Sequence, residues 1–225
     1  MSQTSRLVII GITGRMGTAV SELASEFGFD VSAGVSRNGI SLENLNPGDC
    51  DVVIDFSLPE LTSQVLAWCL QNKKPLVSGV TGLTEPDYNA FAAAGNEIPV
   101  LWSPNMSVGV AILKRALRQL KPLQDYDFQV EEAHHRNKKD APSGTAKSLQ
   151  ATLEETLGRR LPEPLSIRGG GIFGIHKVLA MGDEEILSFE HTALSRRVFA
   201  RGALRAAQWL IKQPAGFYQI EDILQ

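Results

Sequence analysis

The chain has 225 residues, 43% hydrophobic and 21% charged, with a formal net charge of −3. That length can bury one large core or two smaller ones, and the charge balance gives no global attraction to nucleic acid or membrane. Cys50 and Cys69 form no CxxC pair and the four histidines show no HExxH spacing, so reduced, mostly buried thiols and no metal are expected.

The chain reads almost directly into a strand, Leu7–Ile10, with no charged-then-apolar leader and no apolar run long enough to cross a bilayer. A cytoplasmic protein is therefore expected. Met16–Phe27 places Met16, Val20, Leu23, Ala24 and Phe27 at helical spacing. Val31–Val35 and Asp51–Phe56 read as strands, and Pro59 begins a helix through Leu70. Leu76–Val77 is a fourth strand, Glu85–Ala94 a helix and Val100–Trp102 a fifth strand. Strands regularly separated by helices imply a parallel sheet with right-handed crossovers.

Beyond Pro104–Ser107 the pattern changes. Val108–Leu120 reads as a long helix, Asp127 onward as a strand and Thr145–Leu157 as a helix. Leu165–Arg168, His176–Met181 and Glu185–His191 follow as strands, then a last helix, Ala203–Ile211. The expected fold class is α/β, a Rossmann-type parallel sheet plus a second α+β domain with a mixed sheet. The expected boundaries are 1–106 for a dinucleotide-binding domain, to which 203–225 returns, and 107–202 for the other.

Two segments carry chemistry. The first strand runs into Gly11-Ile12-Thr13-Gly14-Arg15-Met16-Gly17 and then a helix. Strand before and helix after is the context that a phosphate-binding glycine loop requires. Gly11 suits the tight turn, Gly14 lets backbone approach a pyrophosphate, Gly17 lets helix pack on strand, and the helix start offers N–H groups to phosphate. The second strand ends in Val35-Ser36-Arg37-Asn38, without the acid that holds a ribose 2′-hydroxyl. A guanidinium suits a 2′-phosphate, so NADPH is expected to bind at least as well as NADH. Two further loops, Ser78-Gly79-Val80-Thr81-Gly82 and Ser103-Pro104-Asn105-Met106-Ser107, follow strands on the same sheet edge, where ligands of open parallel sheets sit.

The second segment is Glu132-Ala-His-His-Arg-Asn-Lys-Lys-Asp-Ala-Pro-Ser-Gly-Thr-Ala146. Adjacent imidazoles and several cations sit between a strand pattern and a helix start, on a loop of the kind that carries active sites. Lys138, Arg136, His135 and the helix start at Gly144-Thr145 suit an anionic ligand. His134 suits proton transfer near neutral pH, with nearby cations expected to push its pKa down until an anion binds. Ser143 or Thr145 also suits a helix cap. His134 and His135 converge only if a loop turns the chain, because strand neighbours face opposite sides. His176 and His191 read as satisfied strand histidines.

Together these segments resemble the dihydrodipicolinate reductase family, now called 4-hydroxy-tetrahydrodipicolinate reductase, of the diaminopimelate route to lysine. The resemblance spans nearly the whole chain. It rests on residues 11–17, Asp-Phe-Ser-Leu-Pro-Glu (55–60), Ser-Gly-Val-Thr-Gly-Leu (78–83), Ser-Pro-Asn-Met-Ser-Val-Gly-Val (103–110), the histidine-rich run, Arg168–His176 and Ser195–Ala203. It implies a homotetrameric reductase passing hydride from NADPH or NADH to a small cyclic dicarboxylate. It implies that His134 is the proton donor/acceptor, Lys138 the proton donor, His135 a substrate contact and Gly144-Thr145 the carboxylate cradle. Cofactor contacts would be Gly11, Ile12, Thr13, Gly14, Arg15, Met16, Arg37, Gly79, Val80, Thr81, Ser103, Pro104, Asn105 and Met106. Two departures stand out: a short connection between the second and third strands, and Ser36 in place of the ribose-binding acid. An NADP-sensing regulator would keep the glycine loop without the proton donors, and a different amino-acid dehydrogenase is the other reading of the same residues.

Overall fold

A computed structural model describes residues 4–225. The chain divides into two compact units. One comprises the chain up to Ser107 together with Arg197–Gln225, and the other is Val108–Arg196.

The first unit is built on β1 (Ser5–Ile10), α1 (Arg15–Leu23), β2 (Phe29–Val35), β3 (Val52–Asp55), α2 (Thr62–Gln71), β4 (Leu76–Ser78), α3 (Glu85–Ala94) and β5 (Pro99–Trp102). With β10 (Gly216–Tyr218), its six-stranded sheet has the order β10-β5-β4-β3-β1-β2, and every pairing is parallel. Strands buried on both faces read as continuous apolar runs, as in Leu7–Ile10 and Val52–Ile54. Val8, Ile10, Val53 and Leu76 pack with Val65, Leu66, Cys69 and Phe91 of α2 and α3.

Several features differ from the sequence reading, among them the return of the chain to the first unit at Arg197 and not at residue 203. The helix after the glycine loop ends at Leu23 and tightens into a 3₁₀ turn, Ala24–Phe27, capped by Gly28 at φ 71°. Only glycine adopts that left-handed conformation at no steric cost. The final helix, α6 (Arg197–Leu210), starts six residues before the expected Ala203. The sixth strand, β10 (Gly216–Tyr218), was not expected; it pairs with β5.

The second unit contains α4 (Val108–Leu117), β6 (Asp127–His134), α5 (Gly144–Leu157), β7 (Leu165–Arg168), β8 (Gly174–Met181) and β9 (Ile186–Ala193). Its sheet order is β7-β6-β8-β9, with β6–β7 parallel and the other pairs antiparallel, hence mixed. Period-two alternation splits the inner face into two zones. Phe128, Val130, Val178 and Ala180 pack with Leu149 and Leu153 of α5 in an apolar core. Further along the same face come Glu132, His134, His176, His191, Ser166 and Arg168, by the register of the four strands. The opposite face exposes Leu165 (56%), Ile167 (59%) and Ile186 (64%).

Candidate active site

In a parallel sheet every strand ends on the same edge, so the expected nucleotide residues share one edge of the first unit. The Gly11 and Ile12 amides both donate to the Val35 carbonyl, and the Gly14 amide donates to Gly11 O at 2.9 Å. Gly11 has φ +80° and lies so close to the β3 end that a Cβ would sit 2.9 Å from Phe56 O. A Cβ on Gly17 would sit 2.2 Å from Gly11 O, so the helix can pack under the loop only with glycine there. Gly14 is the N-cap of α1 and provides no side-chain bond to the first-turn amides, and no acid stands in that turn. Exposed Thr13, Gly14 and Arg15 complete a backbone cradle with a helix start beneath it, which fits a pyrophosphate. Arg15 and Arg37 are exposed, and neither forms an ion pair among the described residues. Arg37 belongs to a turn in which the Gly39 amide donates to Ser36 O.

The two further loops are tied to this edge. The Gly79 amide donates to Asp55 O, and a Cβ on Gly79 would lie 2.1 Å from the Phe56 ring. Val80 is buried and its carbonyl accepts from the Trp102 indole, while Thr81 is exposed. The Ser103 hydroxyl donates to Asn105 O, and the Ser107 amide donates to the Asn105 side chain. Pro104 is exposed. Met106 is buried, with its carbonyl against Gly202 of α6. Met106 and Val80 can therefore meet a ligand only through backbone, and the partly exposed Ile12 is packed on Gly34.

The second unit gathers the histidine-rich run. His134 ends β6 and His135 begins the loop to α5, so the two imidazoles do not share the strand face. The His134 ring is buried and stands edge-on to His176, with centroids 5.1 Å apart. His134 Nδ1 lies 2.5 Å from Glu132 Oε2. Burial pushes the His134 pKa down; Glu132 pushes it up, and Lys138 and Arg168 push it down again. The expected direction stands, but desolvation leads, ahead of the neighbouring cations. His176 is not the satisfied histidine expected. Burial, followed by the fields of His134 and His191, lowers its pKa to about 4, and its Nδ1 has no partner among the described residues. Its Nε2 lies 3.3 Å from the Ser143 hydroxyl.

Lys138 pairs with Asp140 at 2.8 Å, and its amide donates to His135 O. Arg136 is exposed and its amide donates to Gly170 O. Ser143 caps α5 by accepting from the Ala146 amide at 3.2 Å. Gly144 is exposed, and a Cβ there would meet nothing within 4 Å. Thr145 follows it in the first turn, partly exposed. A proton-active ring, a lysine and an open helix start thus belong to one strand–loop–helix segment, which suits gripping an anion and exchanging a proton with it. Among the described residues no group of three or more His, Cys, Asp or Glu side chains stands ready for a metal. No helix there is long and apolar enough to cross a membrane.

Sequence reasoning missed Glu132, Ser166 and Arg168 as parts of this site. Glu132 opens the histidine-rich run and Arg168 another of the resembling segments, yet neither was given a role; Glu132 is two residues before His134 and shares its face. Ser166 and Arg168 join through the β6–β7 register, which no local pattern reveals.

The N-terminal dihydrodipicolinate reductase family model matches residues 5–106, and the C-terminal model of the same family matches residues 109–224. The chain belongs to the dihydrodipicolinate reductase family. It is 44% identical over 219 residues to the 4-hydroxy-tetrahydrodipicolinate reductase of Bdellovibrio bacteriovorus, covering 97% of this chain and 96% of that one. It is 40% identical over 256 residues to the 4-hydroxy-tetrahydrodipicolinate reductase of Wolinella succinogenes, covering 98% and 99%. A dipicolinate-bound dihydrodipicolinate reductase from Paenisporosarcina sp. TG-14 shares the fold, with a TM-score of 0.76 at 20% identity and coverage of 98% and 99%.

Proposed function

We propose that the chain is an NAD(P)H-dependent reductase that converts 4-hydroxy-tetrahydrodipicolinate to tetrahydrodipicolinate in lysine biosynthesis through diaminopimelate. The observation that carries this reading is the β6–α5 segment of a chain matched by one reductase family from end to end. It joins a buried His134 to Lys138 and the helix start at Gly144-Thr145.

The ring loses its hydroxyl as water and takes up a hydride and a proton. The nicotinamide nucleotide supplies the hydride when bound. The first-turn amides of α1 and the Gly11–Met16 loop hold its pyrophosphate, and Arg37 pairs with a 2′-phosphate, which favours NADPH while NADH remains usable. The loops at Gly79–Thr81 and Ser103–Met106 flank the nicotinamide half. In the other unit, α5 amides at Gly144-Thr145 and the imidazole of His135 bind substrate carboxylate. Lys138 gives the proton, and His134 exchanges one with the reacting ring. A dianionic substrate raises the depressed His134 pKa, so the acid is armed chiefly when substrate is present.

The unit at Val108–Arg196 binds substrate and joins four copies, in the cytoplasm. The tetramer is supported by the exposed Leu165, Ile167 and Ile186 on the outer face of the second sheet, an apolar surface of the kind subunits cover. Light scattering of an Ile167→Lys variant should show a smaller particle than the parent chain.

The deciding assay follows NADPH and NADH oxidation with freshly generated 4-hydroxy-tetrahydrodipicolinate. Oxidation with it, and none with homoserine or aspartate-type substrates, is expected. No oxidation with either nucleotide would sink the reading.

A further inference from the structure

The inner face of the second sheet holds a buried carboxylate to which the reaction assigns no step. Glu132 has a side chain with 0% exposure. An ion so placed is tolerated only when its lone pairs are met. Oε1 accepts from Arg168 Nη2 at 2.7 Å, the Ser166 hydroxyl at 2.8 Å and the Ser143 amide at 3.1 Å. Oε2 accepts from Arg168 Nη1 at 2.8 Å and faces His134 Nδ1 at 2.5 Å. Arg168 is held in turn by the carbonyls of Asp140 and Ile167, at 2.6 and 2.7 Å. Burial alone would raise the Glu132 pKa, but the bonds from Arg168, His134, Ser166 and Ser143 bring it down to about 2.

An ionised carboxylate only accepts hydrogen bonds, so the His134 nitrogen against it carries a proton. The ring's other nitrogen then does the exchanging. Nε2 lies over Gly174 of β8, where an added Cβ would come within 3.1 Å of it. Backbone without a side chain therefore borders the edge of the ring where a proton can leave.

We infer that Glu132 is a positioning residue. With Arg168 it holds His134 so that Nδ1–H is turned inward, and Gly174 keeps Nε2 clear as the atom that exchanges a proton with substrate. This rests on the proposed role of His134. The charged and titratable groups around the ring are Glu132 on β6, Arg168 on β7, His176 on β8 and, beyond it, His191 on β9, with Lys138 and Asp140 from the loop. Glu132 is the anion in contact with Nδ1, so neutralising it removes the charge that keeps the imidazole basic.

The test uses the full chain labelled with ¹⁵N-histidine, in two-bond ¹⁵N–¹H correlation spectra. The His134 signals are assigned by their loss in His134→Gln. The parent chain should show the Nδ1–H form of His134 near neutral pH. Glu132→Gln should lose that preference and about 10²-fold or more in kcat, as when a triad carboxylate is neutralised. The limb on which turnover falls with rising pH should move to lower pH, the NADPH KM should hold, and Glu132→Asp should recover part of the loss. Gly174→Ala should keep the tautomer and lose turnover, because its methyl covers Nε2. An Nε2–H form in the parent chain, with His134→Gln inactive, would overturn the positioning role alone. Full turnover in Gly174→Ala would overturn the role of Nε2. Normal turnover in His134→Gln would instead sink the proposed function of the site, and the role of Nε2 with it.

Discussion

The carboxylate of Asp140 holds the Lys138 ammonium at 2.8 Å, while the Asp140 main-chain carbonyl accepts from Arg168. The loop after β6 is thus pinned from both sides, and its lysine is parked beside an exposed acid. An ion pair whose acid faces water, as Asp140 does, contributes only about 1 kcal/mol, so a dianionic substrate can take the lysine over at little cost. Lys138→Ala should lower kcat by about 10²–10⁴-fold, the range for loss of a general acid. Asp140→Asn should stay within about tenfold of the parent chain, because the pair it breaks is weak. Steady-state kinetics at saturating NADPH check both; equal losses in the two variants would contradict the assignment.

Arg37 stands in an exposed turn at the end of β2, without an ion pair among the described residues. A charge-assisted bond to a phosphate contributes about 1.5–3 kcal/mol, or roughly ten- to a hundredfold in affinity. Arg37→Ala should weaken NADPH by that factor and leave NADH nearly unchanged. Fluorescence titration of the two nucleotides measures the ratio, and an unmoved ratio would remove Arg37 from the cofactor site.

His176 stays neutral in the folded chain down to about pH 4. In the unfolded chain its pKa is about 6.5, so below that the unfolded state binds a proton the folded state refuses. Stability contributed by this residue is therefore whole above about pH 6.5 and drains as pH falls toward 4, by roughly 3 kcal/mol at the limit. Glu132, folded pKa about 2, adds a second loss below its ordinary carboxylate range. Asp55 works in the opposite sense: burial raises its pKa to about 6, so acidification through that value favours the fold. Urea titrations at several pH values should show a flatter decline between pH 6.5 and 4 for His176→Gln than for the parent chain. Parallel curves would contradict the buried, neutral ring.

Gly17 and Gly144 separate packing from binding. A methyl at Gly17 would press on the Gly11 carbonyl at 2.2 Å, so Gly17→Ala must displace the loop or the helix. Overpacking of this kind costs about 1–3 kcal/mol, and nucleotide affinity should fall with it. A methyl at Gly144 meets nothing, so Gly144→Ala should melt like the parent chain. Its KM for substrate should nevertheless rise severalfold, because the methyl enters the space over the α5 amides. Melting curves alongside kinetics tell the two apart; an unchanged KM for Gly144→Ala would remove the helix start from the substrate site.

Much of this was legible because local rules set it. Apolar runs and punctuating glycines fixed β1, β3 and the loop at Gly11, and the alternation of strands with helices fixed the parallel sheet. Proline at Pro59 marked a helix entry, although the first turn is 3₁₀ (Pro59–Leu61). What escaped depends on partners distant in sequence. The strand Gly216–Tyr218 is too short to announce itself and exists by pairing with β5. Gly202 lay outside the expected last helix, yet it is where α6 meets the Met106 carbonyl, with 1.6 Å between that oxygen and any Cβ. The carboxylate under His134 was printed two residues away, but its meaning depends on Arg168 arriving across the sheet.

The position of β10 and α6 has a consequence for synthesis. The nucleotide unit is interrupted after Ser107 and resumes only at Arg197. Its sheet lacks its sixth strand until Tyr218 has been made, and Leu204, Ala207 and Leu210 of α6, each fully buried, arrive equally late. On the ribosome the residues between can collapse first, while the older half waits with apolar strands uncovered. The unit that is synthesised first is therefore also the one that cannot be completed until the last residues of the chain are made.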